Sequence, residues 1–306
     1  MCTAVNLTGN FHFFGRNLDL HCDYGECAVK LPRGYALSFR HEGEIKAKYS
    51  ALGCGFTVGG FPLYFDAMNS EGLCGAGLNF PRCAHYMTAS RQHCNICSFE
   101  LIPYVLSQCK DLREAADMLS RVNITDDSFS ESYPATPLHW LFADKNGSIA
   151  VEPLDSGLSV TNAKTGVLTN SPRYILHETN LKMYPHLSPE APTYPDAPLA
   201  IGTVSLPGGL TSEDRFVRAS YFTSNCKKGS KDEERGSFIS ILSAVNVPRG
   251  SVITESGELH YTRYTSIYDT ASQSLTYCSH GHVSPSTITL TSNGECASEL
   301  EVVSFY

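Results

Sequence analysis

A cysteine at position 2 can become the first residue of the chain, and no other feature of this sequence carries as much chemistry. Methionine aminopeptidase removes Met1 when the next residue is small, and cysteine is small enough. The chain then begins with a residue that bears both a thiol and a free α-amine. Such amines titrate near ~7.7–8.0 and thiols near ~8.5, so the amine can take and return the proton of its own sulfur at neutral pH. Nucleophile and base on one residue is the N-terminal nucleophile arrangement. Two further residues are placed to serve it. Thr8-Gly9-Asn10 turns the strand Ala4–Leu7 back into His12–Phe14, so Phe14-Gly15-Arg16-Asn17-Leu18-Asp19 passes beside residue 2. Arg16 can stabilise a thiolate there, and Asp19 an ammonium. By residue type alone each has an ordinary rival: an incidental cysteine, and a structural ion pair.

Other chemistry is weakly signalled. Cys94-x-x-Cys97 has no second pair at zinc spacing and reads as two core thiols. His280-Gly281-His282 reads as a turn. The chain has no Gly-x-Ser-x-Gly elbow, no His-Glu-x-x-His, no Walker loop and no Gly-x-Gly-x-x-Gly. With 306 residues, 42% of them hydrophobic and 18% charged, it can bury a large core. A net charge of -8, with Lys227–Lys228 as the longest basic run, argues against nucleic acid as a partner. No window has the ~18 apolar residues of a membrane helix, and the N-terminus lacks the pattern of a secretory signal. The twelve cysteines therefore read as reduced, mostly buried thiols of a cytoplasmic protein.

The elements that must position Cys2 alternate between strands and helices. After the first hairpin, Ala51–Phe56, Leu63–Phe65 and Cys74–Leu78 read as strands. Ser98 opens a helix over Phe99–Gln108. Asp111 and Glu114 have capping-box spacing for a second helix, Leu112–Val122. Strands return at Leu138–Ala143, Ile149–Glu152 and Leu158–Thr161. Pro172–Pro207 reads as a long surface excursion with a short helix near His177–Tyr184. Helices follow from Ser212 to Ser224 and over Gly236–Val245, separated by a polar mobile loop, Lys227–Arg235. The end of the chain returns to strands at His260–Tyr268, Ser274–Cys278, Thr287–Leu290 and Val302–Phe305. That order fits a single α+β domain over residues 1–306, with helices covering packed antiparallel sheets.

Met1-Cys2-Thr3, Phe14-Gly15-Arg16-Asn17-Leu18-Asp19, Ala76-Gly77-Leu78-Asn79-Phe80 and Leu168-Thr169-Asn170-Ser171-Pro172 together resemble the choloylglycine hydrolase family. That family contains bile salt hydrolases and penicillin V acylases. Leu63-Tyr64-Phe65-Asp66, Leu138-His139-Trp140, Leu206-Pro207-Gly208-Gly209 and Asp214-Arg215-Phe216-Val217 extend the resemblance through most of the chain. It implies a four-layer αββα N-terminal nucleophile hydrolase fold, two antiparallel sheets between helical layers. It makes Cys2 the nucleophile and its α-amine the base. Arg16 would lie beside the sulfur and Asp19 would hold the amine. Asn79 and Asn170 would bind the tetrahedral oxyanion. Arg215 matches an arginine the family carries after serine, although Asp214 precedes it here.

The implied reaction is attack of sulfur on an amide, protonation of the leaving amine, and hydrolysis of the thioester or its capture by another amine. No metal or organic cofactor is called for. Asn79 resembles the bile-salt-hydrolase branch, since penicillin V acylases tend to carry tyrosine there. Conjugated bile salts are therefore the implied substrates. Leu18, Tyr24, Phe65 and the Val58–Leu63 loop are candidate linings for the steroid, and Ala197–Thr203 for the glycine or taurine end. Acylases of penicillin V or N-acyl homoserine lactones share the chemistry. A catalytically silent amphiphile-binding protein is the rival from another class. The resemblance also suggests a homotetramer.

Overall fold

The strands Cys2–Thr8 and His12–Leu20 are buried along nearly their whole length. Only a sheet covered on both faces allows that. The computed structural model describes residues 1–191, 202–282, 284–290 and 299–306. In it, helices cover one face of this sheet and a second sheet covers the other. The first sheet runs in the order Val167–Leu168, Cys2–Thr8, His12–Leu20, Leu259–Asp269, Ser274–Ser279, Ser286–Thr289, with Val252–Ile253 paired to Leu259–Asp269. The second runs Gly157–Asn162, Gly147–Leu154, Leu138–Asp144, Cys74–Asn79, Phe61–Asn69, Ala51–Val58, Cys27–Leu31, Glu301–Val303. Neighbours in both are antiparallel.

Side-chain alternation assigns the layers. On His12–Leu20, Phe13 stacks on Phe238 and Asn17 donates to the Leu242 carbonyl, so odd positions meet helices. Phe14 and Arg16 meet Tyr268 and Asp66, so even positions point between the sheets. Helices Ser212–Asn225 and Lys231–Ser243 cover the first sheet; Leu101–Gln108 and Leu112–Leu119 cover the second. This is the four-layer αββα arrangement. Gly15 is needed for it: a Cβ there would lie 2.3 Å from the Ser266 carbonyl oxygen and 3.0 Å from the Phe238 ring.

Several elements differ from the sequence expectation. Lys227–Arg235 is not all loop, because the helix Lys231–Ser243 begins inside it. Ser230 and Glu233 form a capping box, and buried Glu234 accepts the N–H groups of Asn10, Phe11 and Gly229 at 3.0 Å each. The Ser230-x-x-Glu233 signal was present but masked by the charges around it. The helix expected near His177–Tyr184 spans Tyr174–Leu181, drawn back by the buried Tyr174. Leu112–Leu119 stops short of Val122, which enters a strand, Val122–Thr125, parallel to Cys94–Cys97. Cys97, not Ser98, occupies the cap before the next helical turn. Of Ala197–Thr203, only 202 and 203 are among the described residues. The eleven described cysteines are all free; five are buried and six half-buried, fewer fully buried than expected. Cys296 lies outside the described residues.

His12 links this fold to pH. Its Nε2 lies 2.7 Å from Asn6 Oδ1 and its Nδ1 3.1 Å from Thr270 Oγ1, a pairing that suits a neutral ring. Burial, only partly offset by Asp144 and Asp269, lowers its pKa to about 4. The folded value lies below the unfolded one, so its stabilisation is full above pH ~6.5 and is lost as pH falls towards 4. The loss is on the order of 3 kcal/mol. His12→Gln should therefore flatten the fall of the melting temperature between pH 6.5 and 4, measured by calorimetry. An unchanged slope would refute this.

Candidate active site

The first hairpin brings Cys2 and Arg16 to one face. Its register pairs Cys2 with Leu18 and Ala4 with Arg16. Both functional side chains therefore point between the sheets. Arg16 Nη2 lies 2.6 Å from Cys2 Sγ. Arg16 Nη1 donates to the carbonyls of Gly77 at 2.7 Å and Phe65 at 3.1 Å. Burial opposes the guanidinium's charge, but Cys2, Tyr264, Asp66 and Asp19 together outweigh it and raise the pKa. A buried, permanently charged donor is thus in direct contact with the sulfur.

Asp66, the last residue of Leu63-Tyr64-Phe65-Asp66, completes this centre. Its Oδ2 is 3.8 Å from Arg16 Nε. Tyr268 donates to Oδ1 at 2.6 Å and Tyr264 to Oδ2 at 2.7 Å. Burial pushes the Asp66 carboxyl up in pKa, against the pull of Arg16 and both tyrosines. The signal in the sequence was an acidic residue inside the apolar run Phe61–Met68.

A β-bulge beside Asp66 shapes the neighbourhood. Cys54 pairs with Asp66 and Gly55 with Tyr64, which leaves Phe65 as the extra residue. Its carbonyl is thereby free to accept from Arg16. Its half-buried ring joins Tyr24 at 5.6 Å and Phe56 at 5.9 Å, and Phe56 continues to Tyr133 at 5.3 Å. Tyr24 and Phe65 thus lie together as expected, with Phe56 and Tyr133 as missed partners. Leu18 is buried between the sheets, paired with Cys2 across the first hairpin. The Val58–Leu63 loop lies elsewhere. Gly59 and Gly60 form its tip with φ 58° and 78°, while Phe61 and Leu63 are buried in the core on the helical side of the second sheet. The loop is too short for its apolar side chains to leave that core.

Asp19 is fully buried at the other side of Cys2. Thr262, its partner across the sheet, donates to Oδ1 at 2.6 Å. A second bulge follows Thr262 and leaves Arg263 unpaired in the ladder. The Asp19 main chain grips Met1: its carbonyl accepts the terminal amine at 2.6 Å, and its N–H donates to the Met1 carbonyl at 2.9 Å. Asp19 Oδ2 is buried with no hydrogen-bond partner among the described residues.

Asn170 and Arg215 arrive from distant segments. The Cys2 N–H donates to Asn170 Oδ1 at 2.7 Å, and Arg215 Nη2 donates to the same oxygen at 2.8 Å. Asn170 Nδ2 donates to the Asn79 carbonyl at 2.8 Å. With Met1 attached, then, Asn170 holds the Cys2 nitrogen and its amide donor is engaged. The Asn79 Oδ1 is buried without a partner among the described residues. Arg215 Nη1 donates to the Cys2 carbonyl and to Thr3 Oγ1, each at 2.5 Å. Burial lowers the Arg215 pKa against the pull of Asp19, Cys2 and Glu213. Behind Asn170, its N–H donates to Ser212 Oγ at 2.9 Å and its carbonyl faces His177 Nε2 at 2.9 Å. All six expected catalytic residues therefore converge on residue 2 or on its immediate partners.

Two groups among the described residues have metal-ligand types close together: His21, Glu258, His260 and His41, Cys97, Asp127. The second is already committed. His41 Nε2 lies 2.7 Å from Asp127 Oδ2, and burial pushes the Cys97 thiol up to about 12. Cys94 lies 3.2 Å from the Tyr104 hydroxyl, so Cys94-x-x-Cys97 is a pair of separately bonded thiols. His280 and His282 pack on Tyr261 and Tyr306.

Residues 2–291 match the family described as linear amide C-N hydrolases, choloylglycine hydrolase family. The bile salt hydrolase/transferase of Lactiplantibacillus plantarum is 38% identical over 280 residues, 88% of this chain and 86% of that protein. The solved C2A mutant of the conjugated bile acid hydrolase from Clostridium perfringens superposes with a TM-score of 0.90 at 29% identity, covering 99% of this chain and 96% of that one. The penicillin V acylase of Agrobacterium tumefaciens shares the fold, with a TM-score of 0.78 at 23% identity over 95% of this chain and 87% of that one.

Proposed function

The chain belongs to the choloylglycine hydrolase family of linear amide C-N hydrolases, and from that membership we propose that it cleaves glycine- or taurine-conjugated bile salts with an N-terminal cysteine. The observation that carries the mechanism is the 2.6 Å contact of Arg16 Nη2 with the enclosed Cys2 sulfur. The active chain begins at Cys2, whatever precedes it being removed. Loss of Met1 turns the Cys2 nitrogen, held at Asn170 Oδ1, into an amine for which the unpaired oxygen of Asp19 is the proposed second acceptor.

The steps then balance. The α-amine takes the thiol proton, and the sulfur adds to the amide carbonyl. Negative charge collects on the carbonyl oxygen, where the amide groups of Asn79 and Asn170 are the donors. Asn170 must turn its Nδ2 from the Asn79 carbonyl for this, with Arg215 holding its other end. One such donor contributes roughly 10²–10³-fold to turnover. The α-ammonium gives its proton to the leaving nitrogen, and the C–N bond breaks. Water, deprotonated by the same amine, opens the thioester. A second amine in place of water makes the reaction an N-acyl transfer, the activity included in the name of the L. plantarum relative.

The aromatic group Tyr24, Phe56, Phe65 and Tyr133 is the steroid platform of this proposal, joined to the sulfur through the Phe65 carbonyl and Arg16. Burying ~100 Å² more apolar surface than a phenoxyacetyl group contributes roughly 2.5 kcal/mol, some tens-fold in specificity. Purified reduced protein should therefore hydrolyse glyco- and tauro-conjugates with at least ~10-fold higher kcat/KM than penicillin V. Equal or better kcat/KM for penicillin V would overturn the substrate and leave the cysteine mechanism standing. The resemblance also supports a homotetramer. No helix among the described residues is long and apolar enough to cross a membrane.

A further inference from the structure

His21 and His260 continue the first sheet's ladder beyond its last formal pair. Leu20 opposes Tyr261 and Asp19 opposes Thr262, so the next positions face each other as His21 and His260. Their rings stack with centroids 5.4 Å apart and planes 21° apart. Glu258 lies two residues before His260 in the sequence. One carboxylate oxygen is 3.4 Å from His21 Nε2, and the other is 3.8 Å from His260 Nε2. The three ligand atoms all lie within 4.8 Å of one another.

We propose that His21, Glu258 and His260 bind one divalent transition ion of the zinc, cobalt and nickel class, at the edge of the catalytic centre. Tetrahedral zinc with ligand bonds of ~2.0–2.2 Å sets its ligand atoms roughly 3.3–3.5 Å apart. The two contacts measured here lie within about half an ångström of that spacing. Two imidazoles and a carboxylate suit these ions better than magnesium or calcium, which prefer all-oxygen shells. His260 Nε2 is buried and has no hydrogen-bond partner among the described residues. Three protein ligands leave a fourth position for water. The site stands apart from the amide chemistry above, which needs no metal, and His21 follows directly on the end of the strand that carries Arg16 and Asp19.

Cobalt(II) is the probe, because its spectrum separates nitrogen and oxygen ligation from the thiolates of this cysteine-rich chain. Titration of the full-length reduced protein should show one equivalent bound without a thiolate-to-cobalt charge-transfer band. His21→Ala and Glu258→Gln should each weaken that component at least ~10-fold while the far-ultraviolet circular dichroism is unchanged. Both side chains are about two-fifths exposed, so neither change disturbs the core. The proposal fails if no cobalt binds, if it binds only with the thiolate band, or if the double variant His21→Ala/Glu258→Gln retains native affinity.

Discussion

Cys2→Ala should abolish hydrolysis of conjugated bile salts, with kcat reduced on the order of 10⁵-fold or more. The same variant should melt within a few degrees of the native protein. Its sulfur is enclosed, yet the side chain is small, and truncating it removes less than the ~2–5 kcal/mol lost when a large core residue becomes alanine. Arg16 keeps its bonds to the Phe65 and Gly77 carbonyls and its approach to Asp66, so no buried charge is left wholly unpaired. Turnover and a thermal transition measured on one sample decide the matter. Native turnover in Cys2→Ala would overturn the nucleophile. A collapsed transition, with activity lost only in proportion to unfolding, would make Cys2 a structural residue.

The second large effect is expected at Asp19. Asp19→Asn should lower kcat by roughly 10²–10⁴-fold, the range for loss of acid–base function, with KM changed by no more than about twofold. The substitution preserves shape: an asparagine oxygen can still accept from the Thr262 hydroxyl, as Oδ1 does at 2.6 Å. What changes is the other atom. Oδ2 is a buried acceptor with no partner among the described residues, and an α-ammonium at Cys2 would supply the missing donor. An amide NH₂ in its place presents hydrogens to a positive charge. Steady-state kinetics on samples shown by mass to begin at Cys2 provide the check. Native kcat, or a loss confined to KM, would remove Asp19 from the proton-transfer machinery.

Both effects depend on how charge is balanced around the sulfur. Arg16 sits between Cys2 and Asp66, and Asp66 is held in turn by Tyr264 and Tyr268 from the facing sheet. Breaking one member of a buried pair leaves an uncompensated charge, commonly at a cost of about 3–5 kcal/mol. The cysteine's environment is therefore a property of both sheets, although its nearest cation comes from its own hairpin.

The local part of the site was legible in the chain. A turn at Thr8-Gly9-Asn10 places Arg16 and Asp19 beside Cys2, because an antiparallel hairpin closes over a few residues and its register follows from the turn and the apolar pattern. The motifs around Asn79, Asn170 and Arg215 named further members through family resemblance, with no geometry attached. Their meeting required the tertiary structure. Asn170 is 168 residues from Cys2, and Arg215 reaches the Cys2 carbonyl from 213 residues away. No local propensity measures such a closure, which depends on two sheets stacking and a helix docking over them. The Phe65 bulge was equally hidden, since a one-residue slip in pairing leaves the sequence's apolar pattern unaltered while it turns a ring and a carbonyl in new directions. Leu18 depends on both levels. Its place beside Cys2 follows from the hairpin register, whereas its enclosure between two sheets was decided only by the stacking of the second sheet on the first.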